Sequence, residues 1–311
     1  MADVRRNSGD PGTGRITGKA RDKKPGSSAQ ICRYDELPVW KKIYMCPHVV
    51  SGYLTDLSTL QCLKSTYKLT NETGNVLTHV VPAMAFLILA LYDHHVTIPG
   101  RHGDDMDYVI SAIYFTSCQV VLLFSTTYHI FTPHRCRSVF TLGLGLDLFG
   151  IVVTILAVLS TFVAYCFRCS MFWQTFYQCL CVAMVIPYAA MFLHPKYRFH
   201  WVRPENRLIG IGPPLAIVSF AFIAQSYHYH GGWTSDTAWI YPARCFRNGG
   251  IYIAAFVLFH IKNIPQVWFP GRFDYVGHGH QWWHMAVVLG LLDWRDALFV
   301  FQSLQQQSLT C

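Results

Sequence analysis

Charge is scarce in this chain. Only 14% of its 311 residues are Asp, Glu, Lys or Arg, while 52% are hydrophobic and 15% aromatic; a soluble domain carries about 25% charge. An ordinary soluble surface is therefore excluded, and the composition is that of a membrane protein. Other things are missing too. There is no glycine-rich phosphate loop, no nucleophile elbow and no internal repeat, which argues against nucleotide-loop enzymes, serine hydrolases of that build and solenoids. The first thirty residues hold no apolar run, so entry into the bilayer is expected through the first spanning helix and not through a cleaved leader. No nucleic-acid partner is expected.

What is present is a series of apolar stretches at about Val76–Tyr92, Tyr108–Phe131, Thr141–Phe167, Met171–Leu193, Leu208–Tyr227, Gly249–Ile261 and His280–Phe301. Most approach the roughly 20 residues that a spanning helix needs. The expected fold is all-α, a seven-transmembrane-helix bundle, with the sixth helix spanning only if Cys245–Arg247 joins it. The expected division is a disordered basic tail over 1–33, a juxtamembrane segment over 34–75, the membrane domain over 76–301 and a short tail over 302–311. Tyr53, Leu57, Leu60, Leu63 and Tyr67 recur at helical spacing, which predicts a short amphipathic helix on the membrane surface before the first span. Pro82, Pro187 and the Pro213-Pro214 pair are expected to kink their helices.

Orientation follows from Lys and Arg. Twelve precede the first span, and eight more (Arg135, Arg137, Lys196, Arg198, Arg203, Arg207, Lys262, Arg272) fall in loops on the same side; five (Arg101, Arg168, Arg244, Arg247, Arg295) fall on the other. The positive-inside rule then places the amino terminus in the cytosol and the carboxyl terminus in the lumen or outside. Eleven cysteines are scattered through spans and loops, and those on the cytosolic side are expected to stay reduced. The sequon at Asn71-Glu72-Thr73 lies on the same side and is expected to be unused.

This threading decides which polar groups share a depth. Ser125 and His129 stand near the cytosolic end of the second span, Asp147 in the first turns of the third, and His280 and His284, one turn apart, at the start of the seventh. His94, His95, His228 and His230 fall at the opposite face. A lone interfacial histidine commonly just bonds backbone or headgroups. Three histidines converging with an intramembrane aspartate point instead to a metal, because an unpaired Asp in the bilayer costs at least about 2.5 kcal/mol. Three neutral imidazoles match the protein ligands of a catalytic zinc site, which keeps its fourth position open. Asp147 is expected to reach the metal through water or to act as a base, and Ser125 to bond a ligand or a substrate carbonyl. Glu72 and Asn75 are expected to bond backbone or a neighbouring histidine such as His79.

Taken in order, Asn71-Glu72-Thr73-Gly74-Asn75-Val76-Leu77-Thr78-His79, Ser125-x-x-x-His129, Asp147-Leu-Phe-Gly150-Ile151, Phe269-Pro270-Gly271-Arg272-Phe273 and His280-x-x-x-His284 resemble the progestin and adipoQ receptor family. The resemblance runs from about Tyr34 to Trp294. It implies a seven-helix fold with a cytosolic amino terminus, zinc on His129, His280 and His284, and kinship with membrane hydrolases of the alkaline ceramidase type. The stretches Tyr128–Arg135, His194–Tyr197 and Tyr275–Gly277 look closer to the family's Golgi-resident branch that traps Raf kinase than to adiponectin receptors. Two functions are therefore expected. One is a receptor for a lipid or hormone-like ligand, a zinc-dependent lipid amide hydrolase, or both, with Asp147 and Ser125 catalytic. The other is a Golgi scaffold that holds a Raf-type kinase and uses zinc for stability, with the plasma membrane as the alternative location. A proton or ion transporter fits less well, because the ionisable groups cluster in one leaflet.

Overall fold

The computed structural model describes residues 30–234 and 238–307, so the expected disordered tail falls almost wholly outside the described residues. Seven helices dominate: α1 (Thr73–Tyr92), α2 (Asp105–Phe131), α3 (Arg137–Cys166), α4 (Met171–Leu193), α5 (Pro204–Tyr229), α6 (Ile240–Ala255) and α7 (Gly279–Gln307). A π turn over Asp93–Thr97 carries α1 on to Gly100, and another over Phe256–Ile261 lengthens α6. Among the described residues no strand forms; extended backbone is limited to isolated bridges such as Cys32 with Tyr53. The helix α1 starts ahead of the expected boundary at Val76, and α7 continues beyond Phe301.

Five helices, α1 with its extension and α2 to α5, are long and apolar enough to cross a membrane. The other two differ for local reasons: α6 has only 16 regular residues before its π turn, and α7 carries Asp293, Arg295 and Asp296 midway. Cys245–Arg247 do join α6, which begins at Ile240. The expected kinks do not end the helices, since α1, α4 and α5 run on through Pro82, Pro187 and Pro213-Pro214.

Local chemistry sets the helix starts. Asp104 accepts from the backbone of Met106 and Asp107, and Asp107 bonds back to the Asp104 amide at 3.0 Å, closing a capping box at α2. The surface is the reverse of a soluble protein's: Ile88, Val182, Ile186, Ile217, Phe220 and Ile253 all lie exposed, as lipid-facing residues should. Between helices, small residues permit close approach. A Cβ on Gly143 would sit 3.4 Å from the Tyr128 Cα, and one on Gly150 would sit 3.2 Å from the Val121 Cα. These two contacts fix the antiparallel register of α2 and α3 and set Asp147 level with Phe124 and Ser125.

The ends of the bundle are tied differently. At the far end Arg295 grips the buried Asp93 with two hydrogen bonds, and buried Asp107 accepts from Tyr165 Oη at 2.7 Å and Gln302 Nε2 at 2.9 Å. At the near end residues 30–72 fold into a cap. Asp274, in the loop before α7, accepts from Val50 N (2.8 Å), Ser51 N (2.8 Å) and Ser51 Oγ (2.7 Å). Lys41 is buried to 2% exposure and donates to the Thr132 carbonyl at the end of α2, at 2.8 Å. The expected amphipathic row is split. Only Thr59–Ser65 is helical; Tyr53 and Leu57 are buried within the cap, while Leu60, Leu63 and Tyr67 are exposed.

Candidate metal centre

His129 is delivered by the last turns of α2, and His280 and His284 by the first turns of α7. One ligand atom from each lies within 4.8 Å of the others, and no Asp, Glu or Cys joins that cluster among the described residues. The His129 and His280 Nε2 atoms are 3.4 Å apart. Two nitrogens bound tetrahedrally at 2.0–2.1 Å would be separated by about 3.3 Å. The spacing is therefore already that of a coordination edge, and the residues fit a zinc ion.

For two of the rings an outer contact fixes which nitrogen points inward. His129 Nδ1 lies 2.7 Å from Glu72 Oε2. A carboxylate only accepts, so Nδ1 carries the proton and Nε2 keeps its lone pair toward His280. His284 Nδ1 lies 3.0 Å from Thr78 Oγ1, whose hydroxyl donates to the Gly74 carbonyl at 2.8 Å or the Asn75 carbonyl at 3.0 Å. The threonine thus has only a lone pair to offer, His284 Nδ1 is the donor, and its Nε2 is free to ligate. Burial would push the Glu72 carboxyl up, but the hydrogen bond from His129, helped by that from Asn75, holds it below the usual carboxylate range.

From the sequence Glu72 is expected to bond backbone or a neighbouring histidine such as His79; the histidine it bonds is His129, and it also accepts from Asn75 Nδ2 at 2.8 Å and Asn71 Nδ2 at 3.4 Å. His79 instead stacks on His284, with ring centroids 3.8 Å apart and planes 26° apart. Just before α7, His278 is buried, with its pKa lowered by that burial, and its Nε2 lies 3.3 Å from the Asn71 carbonyl. Sequence reasoning missed His260. It sits on the π turn after α6 with its ring 6.1 Å from that of His280; the only signal was a histidine closing an apolar segment. Ser125 is fully buried one turn before His129 on α2. Asp147 is half-buried on α3 at Ser125's depth, outside the ligand cluster. At the opposite end His230 Nε2 lies 2.9 Å from the Cys166 carbonyl and takes no part. A cavity of about 160 Å³ opens beside the centre, lined by Thr70, Glu72, Val76, Leu77, His129 and Ile130 among others.

Residues 67–294 match the haemolysin-III-related family. The chain is 30% identical over 278 residues to progestin and adipoQ receptor family member 3 of Mus musculus, covering 88% of this chain and 86% of that protein. It is 26% identical over 271 residues to the ADIPOR-like receptor IZH2 of Saccharomyces cerevisiae, covering 85% and 81% respectively. To the adiponectin receptor protein of Drosophila melanogaster it is 26% identical over 263 residues, covering 84% of this chain and 57% of that protein.

Proposed function

This chain belongs to the haemolysin-III-related family, alongside the progestin and adipoQ receptors, and on that premise we propose that it hydrolyses a lipid amide with zinc, in step with recognition of a lipid or hormone-like ligand. It is a receptor-like multi-pass membrane protein. One observation carries the hydrolase reading: His129, His280 and His284 each bring a ring nitrogen within 4.8 Å of the others, the His129–His280 pair at 3.4 Å, with Glu72 and Thr78 bonded to the outer nitrogens of two of the rings.

Zinc, when bound, supplies a Lewis acid and lowers the pKa of water toward about 7. The remaining work falls to the chain. Glu72 and Thr78 keep the imidazoles from turning, so no reorganisation accompanies the reaction. Ser125, at the same depth, donates its hydroxyl to the substrate carbonyl oxygen. Asp147 takes a proton onto a carboxylate oxygen and returns it to the leaving amine nitrogen. The apolar walls of α1 and α2 exclude bulk water and take the acyl chain.

Elemental mass spectrometry of detergent-purified protein tests the reading. About one zinc per chain is expected in wild type and in Asp147→Asn, and none in His280→Ala. Asp147→Asn should also lose hydrolysis of an N-acyl sphingoid base. Folded wild type without zinc would sink the assignment.

The apolar side chains exposed on the cap, Val39 and Tyr67 among them, favour a second reading. In it the cap tethers a Raf-type kinase at the Golgi membrane, and zinc only stabilises the fold. Replacing Val39 and Tyr67 by serine would then abolish kinase recruitment and leave zinc in place.

A further inference from the structure

Among the described residues, eight buried polar side-chain atoms have no hydrogen-bond partner. Four of the eight belong to three residues along one face of α1 and its lead-in: Asn71 Oδ1, Asn75 Oδ1 and both ring nitrogens of His79. All three residues are at most 5% exposed. Buried polar atoms in folded proteins are nearly always satisfied, so this concentration calls for a missing partner. The orientation of the two amides is set by their neighbour. Glu72 accepts from Asn75 Nδ2 at 2.8 Å and from Asn71 Nδ2 at 3.4 Å, and a carboxylate cannot donate, so both amides must turn their oxygens away from it. Asn75 and His79 are one turn apart on one helix face. His79 is stacked on His284, which brings this row against the metal cluster.

We propose that Asn71, Asn75 and His79 form a subsite that receives the hydrogen-bond-donating headgroup of the lipid beside the metal centre. This rests on the hydrolase reading for its ligand. The four atoms comprise two amide oxygens and one neutral imidazole, which together offer three acceptors and one donor. A headgroup with N–H and O–H donors and one carbonyl complements them. A carboxylate, a phosphodiester or a simple ketone, which only accept, would leave most of the row unsatisfied.

The test uses full-length Asp147→Asn protein, in which turnover is blocked, with and without His79→Phe. Phenylalanine keeps a ring on His284 and removes both orphaned nitrogens. N-octanoylsphingosine is the probe and octanoate the acceptor-only control. With His79→Phe we expect zinc retained, a higher melting temperature without lipid because the orphans are gone, N-octanoylsphingosine bound about tenfold more weakly, and octanoate unaffected. If that variant fails to fold, His79→Leu takes its place. A variant that keeps zinc, melts lower and binds both lipids as its parent does would show the row to be satisfied by ordered water and overturn the proposal. Failure of N-octanoylsphingosine to bind the parent would overturn it as well. If wild type binds that lipid in the expected manner and never cleaves it, the hydrolase reading falls and the subsite stands.

Discussion

Glu72→Gln is the substitution that most directly probes how the metal centre is held. The side chain keeps its size, so packing around α1 is preserved, but the charge behind His129 is removed. With Glu72 Oε2 2.7 Å from His129 Nδ1, and the metal on the far side of the ring, the carboxylate would stand roughly 6.5 Å from a zinc ion. At an effective dielectric of about 20 a single negative charge attracts a divalent ion at that range by about 5 kcal/mol. Much of this is offset by the cost of keeping the carboxylate buried, and changes to such outer contacts commonly weaken metal binding 10- to 100-fold. We therefore expect zinc affinity to fall by about that factor, or roughly 1.4 to 2.7 kcal/mol. Competition against a chelator of known affinity, followed by elemental analysis, reads this directly. Unchanged affinity in a folded variant would refute the role of Glu72 as the anchor of His129.

Two further outcomes are expected from the fold. A Cβ on Gly145 would collide with the Phe192 carbonyl oxygen, so Gly145→Ala should cost about 1 to 3 kcal/mol by overpacking, read as a lower melting temperature in detergent; Gly212→Ala, with open space around it, should cost much less. Burial lowers the Lys41 pKa from the ordinary 10.5 to about 8, so the folded state disfavours its charged form. The penalty is complete below pH about 8 and fades as pH rises toward 10.5, amounting to about 3 kcal/mol at most. Stability of wild type relative to Lys41→Met should rise over that interval, and a flat difference in pH-dependent melts would contradict it.

Legibility in the sequence depended on whether a residue's partner was local. His280 and His284 are one turn apart, and His129 closes an apolar segment, so topology alone could set them at one depth, and the fold brings them together. For Glu72 the sequence leaves backbone or a neighbouring histidine such as His79 as partners. Its actual partner comes from α2, 57 residues on, a contact that no periodicity records. The row from Tyr53 to Tyr67 has helical spacing, yet the cap pulls Tyr53 and Leu57 inward and leaves the rest exposed. Lys41 gave no sign of burial either: its charge is met by the Thr132 carbonyl and by the rings of Trp40 and Phe140 at 5.4 and 5.8 Å, all supplied by tertiary packing or by a neighbour of apolar type.

The distance along the chain between the paired ligands has a bearing on biosynthesis. His129 and His280 are 151 residues apart, and α7 is the last helix among the described residues. During translation a chain that has emerged through α6 can present only one of the three imidazoles, which is too few to hold zinc firmly. If zinc is held as proposed, its capture would wait until α7 docks onto the bundle. A truncated or misinserted chain would lack the cluster altogether, so under the proposed reading zinc content would measure completed assembly in a preparation.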